Sequence, residues 1–149
     1  MNLKDKLIMA AAMGGGLGKI PKAPGTFGTL AALPLIVLFA WLDPEWGVFG
    51  VVTLIVVSIW ICDEAEAIMG VKDPGSIVLD EVAGYTVAMA GMPVTGWTLV
   101  AGFLLFRVFD IFKPVPVRNF ENRFTGGPGI VLDDIVAGLL SAVVLRILF

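Results

Sequence analysis

The sequence predicts an all-α protein: a small polytopic membrane bundle of about four to five embedded helices, with a charged site at its cytoplasmic face. Three observations predict it. The composition is 58% hydrophobic and only 15% charged, with a mean hydropathy of +0.94, whereas soluble domains carry about 25% charged and about 45–50% apolar residues. The apolar residues fall in five runs, the first four of them paired across two short breaks. The positive charges gather on one side of the alternation that those runs imply. The 149 residues suit one domain, 1–149.

Taken in order, the N-terminal MNLKDKLIMAAAMGGG combines lysines with a short apolar run. A signal peptide would need a small-residue cleavage region, and the following KIPKAPGTFGTL does not supply a convincing one. The segment reads better as an amphipathic or interfacial stretch, and the first 17 residues are a candidate for a further membrane-associated helix. The apolar runs cover about 27–42, 47–61, 82–92, 97–112 and 130–149. A spanning helix needs about 20 residues, so several runs must be extended by their flanks. The third can begin near Ser76 if Asp80 and Glu81 lie within the helix. Asp43-Pro44-Glu45 splits the first two runs, and Met92-Pro93-Val94-Thr95-Gly96 splits the third from the fourth. Connections this short make each pair an antiparallel hairpin.

Lys4, Lys6, Lys19 and Lys22 precede the first run, Lys72 lies between the second and third, and Lys113, Arg118 and Arg123 lie between the fourth and fifth. Neither hairpin tip holds a Lys or Arg. Positive residues favour the cytoplasmic side, so the N-terminus and both basic loops belong there, with Arg146 at the opposite end. Apart from Asp43, Glu45 and Arg146, the charged residues then collect at cytoplasmic helix ends and loops. Ionisable groups inside spanning segments are costly and mark a protein-lined or wet functional site.

The composition excludes several chemistries. With no His, imidazole acid–base catalysis, imidazole metal ligands and a phosphohistidine intermediate are absent. The single Cys62 allows no intramolecular disulfide or CxxC metal site. It also opens no Cys-x5-Arg phosphatase loop, because Ile68 stands where the Arg is required. A net charge of −3 gives no footprint for nucleic acid. Residues 14–30 are not a P-loop, since Met13 replaces the first Gly and Ile20 follows Lys19. No DxDx[TV] aspartyl-phosphate motif occurs.

Chemistry is carried by a near-duplication. Residues 77–84 read IVLDEVAG and residues 130–138 read IVLDDIVAG. Neighbours on a helix point about 100° apart, so Asp80 with Glu81, and Asp133 with Asp134, cannot all face lipid cheaply. Uncompensated converging carboxylates repel, and a hard divalent cation such as Mg²⁺ is the usual remedy. A single such pair would suit the positive end of a helix at the membrane surface. Two, with Asp63, Asp73 and Asp110 on the same side, favour a metal site.

In FRVFDIFKPVP (106–116), Arg107, Asp110 and Lys113 form one stripe. It reads either as a ladder snorkelling to headgroups or as a phosphate clamp. In GGGLGKIPKAPGTFGTL (14–30), Gly25, Thr26, Gly28 and Thr29 open a helix whose N–H groups and hydroxyls suit an anion, with Lys19 and Lys22 adding charge. The plainer alternative is a turn capped by Thr26. GGPGI (126–130) is a hinge, a close-approach loop or a plain turn. The chemistry left is a carboxylate-bound metal that activates water and neutralises a phosphoryl group.

In this order, GKIPKAPGTFGTL, CDEAEAIMGVKDPGSIVLDEVAG and FRVFDIFKPVPVRNFENRFTGGPGIVLDDIVAG resemble the phosphatidylglycerophosphatase A family over nearly the whole chain. The resemblance implies a bacterial inner-membrane, Mg²⁺-dependent lipid phosphatase that converts phosphatidylglycerophosphate to phosphatidylglycerol, with its substrate held in the bilayer. The expected metal residues are among Asp63, Asp80, Glu81, Asp133 and Asp134, with Asp73 a further candidate. The catalytic set adds Asp110, and phosphate contacts are expected from Lys19, Lys22, Thr26, Thr29, Arg107 and Lys113. Two other readings stay open: a phosphatase for another lipid phosphate, and an ion-coupled transporter. The second should place its acids near the bilayer midplane.

Overall fold

A computed structural model of the chain describes residues 2–19, 24–70, 77–112 and 126–149. Among these the regular elements are helical, and no strand occurs. They are α1 (Leu3–Ala12), a 3₁₀ turn (Gly14–Lys19), α2 (Pro24–Leu30), α3 (Leu33–Trp41), α4 (Pro44–Met69), α5 (Leu79–Met89), α6 (Gly96–Phe112) and α7 (Gly126–Leu148).

Local chemistry explains the boundaries. Asn2 caps α1, its Oδ1 accepting from the Asp5 N–H at 2.8 Å. The helix ends at three glycines with φ of 60°, 70° and 112°, angles that residues with a Cβ rarely adopt. The run over 27–42 is divided into α2 and α3 by a turn at Ala31–Ala32. Pro34 accounts for the break, because it lacks an N–H and its ring would strike the carbonyl four residues back, at Leu30, where α2 stops. Helix α4 starts on Pro44, a residue suited to the first helical position. It runs 26 residues, past the apolar stretch and through Asp63, Glu64 and Glu66. Helix α5 begins at Leu79, so Asp80 and Glu81 lie in its first turn. The GGPGI stretch is the opening of α7 rather than a loop. Pro128 fits there because first-turn N–H groups have no intrahelical partner.

Among the described residues one helix, α4, is long and apolar enough to cross a membrane by itself. Helices α3, α5 and α6 have 9, 11 and 17 residues, short of the about 20 that a full crossing needs.

Helices α5 and α7 form the centre, and side chains from both enter two packed clusters. In one, Ile8, Met9 and Ala12 of α1 and Cys62 and Ala65 of α4 meet Ala83, Val87, Val131 and Ile135. In the other, Ile36 of α3 and Phe106 of α6 meet Val82, Tyr85, Met89, Ala137 and Leu145. The outer faces are apolar and exposed at one-turn spacing: Val48, Val52, Val56 and Trp60 on α4, Val100, Leu104 and Val108 on α6, and Leu139 and Val143 on α7. At the far end from the acid pairs, Arg146 donates to the carbonyls of Ala90 at 2.8 Å and Ala142 at 3.1 Å, tying the end of α5 to α7.

Candidate active site

Three helices bring the charged residues together. Asp80 and Glu81 come from the start of α5, Asp134 from α7, and Arg107 with Asp110 from the last turns of α6. One carboxylate oxygen each from Asp80, Glu81 and Asp134 lies within 4.8 Å of the others. Asp80 is 8% exposed and Asp134 2%. The carboxyls of Asp80 and Asp110 lie beside that of Asp134, within side-chain hydrogen-bonding reach of it. Asp134 Oδ2 is buried and meets no hydrogen-bond partner among the described residues.

These residues suit a hard divalent cation. Carboxylates removed from water lose hydration, and their mutual repulsion adds to that cost. An ion held among them would offset both and would give the buried Asp134 Oδ2 a partner. All the donors are oxygens, which favour Mg²⁺, Ca²⁺ or Mn²⁺ over softer metals.

Arg107 flanks the acids. Its Nη1 donates to Asp110 Oδ2 at 2.7 Å and lies 3.7 Å from Glu81 Oε1. Its position follows from the packing one residue earlier. Phe106 is fully enclosed, and its ring stacks on Tyr85 with centroids 6.4 Å apart. Tyr85 also meets Phe103 edge-on at 5.8 Å, and its hydroxyl donates to the Leu99 carbonyl at 2.7 Å. Tyr85 lies one turn beyond Glu81, so the same face of α5 that carries Glu81 anchors α6.

The N-terminal elements close on this end of α5. The Val78 N–H donates to the Ala12 carbonyl at 2.8 Å. Gly28 of α2 sits on the Val78 side chain, where a Cβ would have no room. Thr29 is fully buried in this region, and Thr26 is partly exposed.

Of the residues expected from the sequence, Asp80, Glu81 and Asp134 converge, with Arg107 and Asp110 beside them. Asp133 is buried at 5% exposure but lies outside the converging three. Asp63 is exposed on α4 and also lies outside them. Lys22, Asp73, Lys113 and the Lys19 side chain lie outside the described residues. The sequence reading missed the Arg107–Glu81 approach, which joins two helices, and the support from Tyr85 and Phe106. Gly84 and Gly138, which close the two motifs, each stand four residues after an acid, Asp80 or Asp134.

The family model for phosphatidylglycerophosphatase A matches residues 10–149. An Escherichia coli protein named phosphatidylglycerophosphatase A is 42% identical over 137 residues, covering 90% of this chain and 78% of that protein. A Haemophilus influenzae protein of the same name is 38% identical over 135 residues, covering 89% and 83%. A Bacteroides thetaiotaomicron protein, provisionally named phosphatidylinositol-3-phosphatase, is 35% identical over 142 residues, covering 90% and 88%. No solved structure matches the chain.

Proposed function

We propose that this chain, which belongs to the phosphatidylglycerophosphatase A family, removes the terminal phosphate of phosphatidylglycerophosphate to leave phosphatidylglycerol. Family membership makes it a phosphatase acting on a phosphate monoester. The observation that carries the reading is the convergence of Asp80, Glu81 and Asp134 beside Arg107.

In this proposal Asp80, Glu81 and Asp134 hold Mg²⁺. When bound, the ion supplies positive charge that offsets the phosphoryl oxygens and acidifies water. The chain's own residues do the rest. Arg107 turns its guanidinium fork to the phosphate, a planar group suited to bidentate contact. Asp110 holds that fork in place before substrate arrives. A carboxylate oxygen of the acidic group that the ion does not engage takes the proton of the attacking water. Lys19, Lys22 and Lys113, with Thr26 and Thr29, add further phosphate contacts in this reading.

The setting proposed is a multi-pass bundle of about four to five embedded helices in the bacterial inner membrane, with the site at the cytoplasmic face. Its support is the exposed apolar striping of α4, α6 and α7 and the position of the tryptophans. Trp41, Trp46 and Trp97 are exposed at helix ends away from Asp80, Glu81 and Asp134, as expected of an aromatic belt at a membrane interface. Along α4, Trp46 and Asp63 are about 26 Å apart at 1.5 Å per residue, close to a hydrocarbon thickness of about 30 Å. Acids near one surface favour an enzyme acting on headgroups over a transporter with a midplane site.

A substrate panel tests the reading. Purified full-length protein in mixed micelles should release phosphate fastest from phosphatidylglycerophosphate and more slowly from phosphatidylinositol 3-phosphate, phosphatidate and a polyprenyl phosphate. The provisional name of the Bacteroides relative makes the inositol lipid the main rival. A preference for it would move the assignment to that substrate. No release from any of the lipids, together with ion flux in vesicles, would favour the transporter.

A further inference from the structure

We infer that Gly84 and Gly138 are positioning residues that set the spacing of the carboxylates, and thereby the size of cation the site accepts. The inference rests on the proposed metal reading of Asp80, Glu81 and Asp134. Its basis is the geometry where α5 crosses α7. A Cβ on Gly84 would stand 2.7 Å from the backbone oxygen of Asp134 and would also strike the Phe106 ring. A Cβ on Gly138 would strike the Gly84 carbonyl oxygen, 3.1 Å from the carbonyl carbon and 3.3 Å from Val87 Cβ. At both positions the obstacle includes backbone, which cannot turn aside as a side-chain tip can. The two helices therefore touch backbone to backbone, as small residues at a helix crossing permit.

The crossing is linked to the acids by helical geometry. Gly84 follows Asp80 by four residues, and Gly138 follows Asp134 by four. Residues i and i+4 lie on one face, one turn apart. This backbone contact therefore lies one turn from both carboxylates, and it limits how far apart Asp80 and Asp134 stand. An added methyl at Gly138 has to separate the helices by about 1 Å to reach ordinary van der Waals distance. Such a change discriminates between ions, because Mg²⁺ takes oxygens at about 2.0–2.1 Å in strict octahedral geometry, whereas Ca²⁺ takes them at about 2.3–2.6 Å with more latitude.

Other close glycines lack this link. At Gly102 a Cβ would meet the Met89 sulfur at 2.6 Å, the flexible part of a side chain. Gly102→Ala therefore controls for packing disturbance alone.

The test is calorimetric titration of full-length protein in detergent with Mg²⁺ and, separately, Ca²⁺. Gly138→Ala is expected to weaken Mg²⁺ about tenfold or more, in the range by which supporting residues tune metal affinity, and Ca²⁺ much less. The ratio of the two affinities then moves towards Ca²⁺. Gly84→Ala should move it the same way, and Gly102→Ala should leave it unchanged. Partial unfolding removes sites for both ions alike and does not move the ratio. If Gly138→Ala does not fold, Gly84→Ala is read by the same ratio. An unchanged ratio in the folded glycine variants, with Mg²⁺ binding intact in the unsubstituted protein, overturns the positioning role and leaves the metal site standing. Absence of saturable Mg²⁺ binding in the unsubstituted protein overturns both.

Discussion

Arg107 and Asp110 are joined by a 2.7 Å hydrogen bond one turn apart on α6, and the same guanidinium nitrogen lies 3.7 Å from Glu81 on α5. A guanidinium held between carboxylates beside a candidate metal group is kept in position and remains only partly buried. It is thus ordered before a phosphate arrives and reachable by one. Removing a preorganised donor from a developing anionic centre costs about 10²–10³ in kcat. Arg107→Ala should lose activity in that range, and Arg107→Lys should recover little of it because an ammonium lacks the planar fork. Steady-state phosphate release measures both. Near-normal kcat in Arg107→Lys would reduce the fork to a point charge.

The acids should divide by position. Asp80→Asn, Glu81→Gln and Asp134→Asn each remove a carboxylate from the converging group and are expected to lower Mg²⁺-dependent turnover by at least about 100-fold, as loss of a preorganised electrostatic group does. Asp63→Asn alters an exposed residue outside that group and should stay within a few fold of the unsubstituted enzyme. Equal loss in Asp63→Asn and Asp134→Asn would place the α4 acid in the working site as well.

The division between Asp133 and Asp134 shows where sequence reading stops. The helices, the hairpin breaks and the pairing of the two acidic motifs are visible in composition, spacing and proline placement. Which acid of a pair faces its partner depends on the rotation of α7 about its axis. Gly84 and Gly138 meet backbone to backbone where α5 and α7 cross, a contact that hydropathy does not register. Asp63 illustrates the same limit: its place at the charged end of α4 is legible, but its face is not. The break before Pro34 was hidden by an unbroken apolar run. GGPG reads as a hinge, a close-approach loop or a turn because glycine and proline usually mark such places, whereas Pro128 is tolerated in the first turn of α7. The approach of Arg107 to Glu81 joins two helices, and local pattern carries no trace of it.

Topology can be read by labelling. Cys62, the chain's single cysteine, is buried, so the unsubstituted protein should resist a membrane-impermeant maleimide. Thr95→Cys and Trp97→Cys, at the turn between α5 and α6, should label from the periplasmic side in intact cells. Lys4→Cys should label only after the inner membrane is opened. The reverse pattern would turn the acidic site to the periplasm.

Stability should respond at the α5–α6 anchor. Tyr85→Phe removes the hydroxyl that donates to the Leu99 carbonyl and should cost about 0.6–1 kcal/mol. Phe106→Ala empties a fully buried position and should cost about 3–5 kcal/mol. Detergent unfolding followed by circular dichroism measures both. A larger loss from Tyr85→Phe than from Phe106→Ala would contradict the packing described.

Dependence of phosphate release on a cation held by the α5 and α7 carboxylates underlies the roles proposed for every other residue of the site. Its most direct test is the rate of phosphate release from phosphatidylglycerophosphate in lipid vesicles, titrated with Mg²⁺, for the unsubstituted chain and Asp134→Asn. The first should show a saturable Mg²⁺ dependence abolished by chelator, and the second little or no rate at any Mg²⁺ concentration. Full activity in the presence of chelator, or an unchanged Mg²⁺ profile in Asp134→Asn, would contradict that dependence.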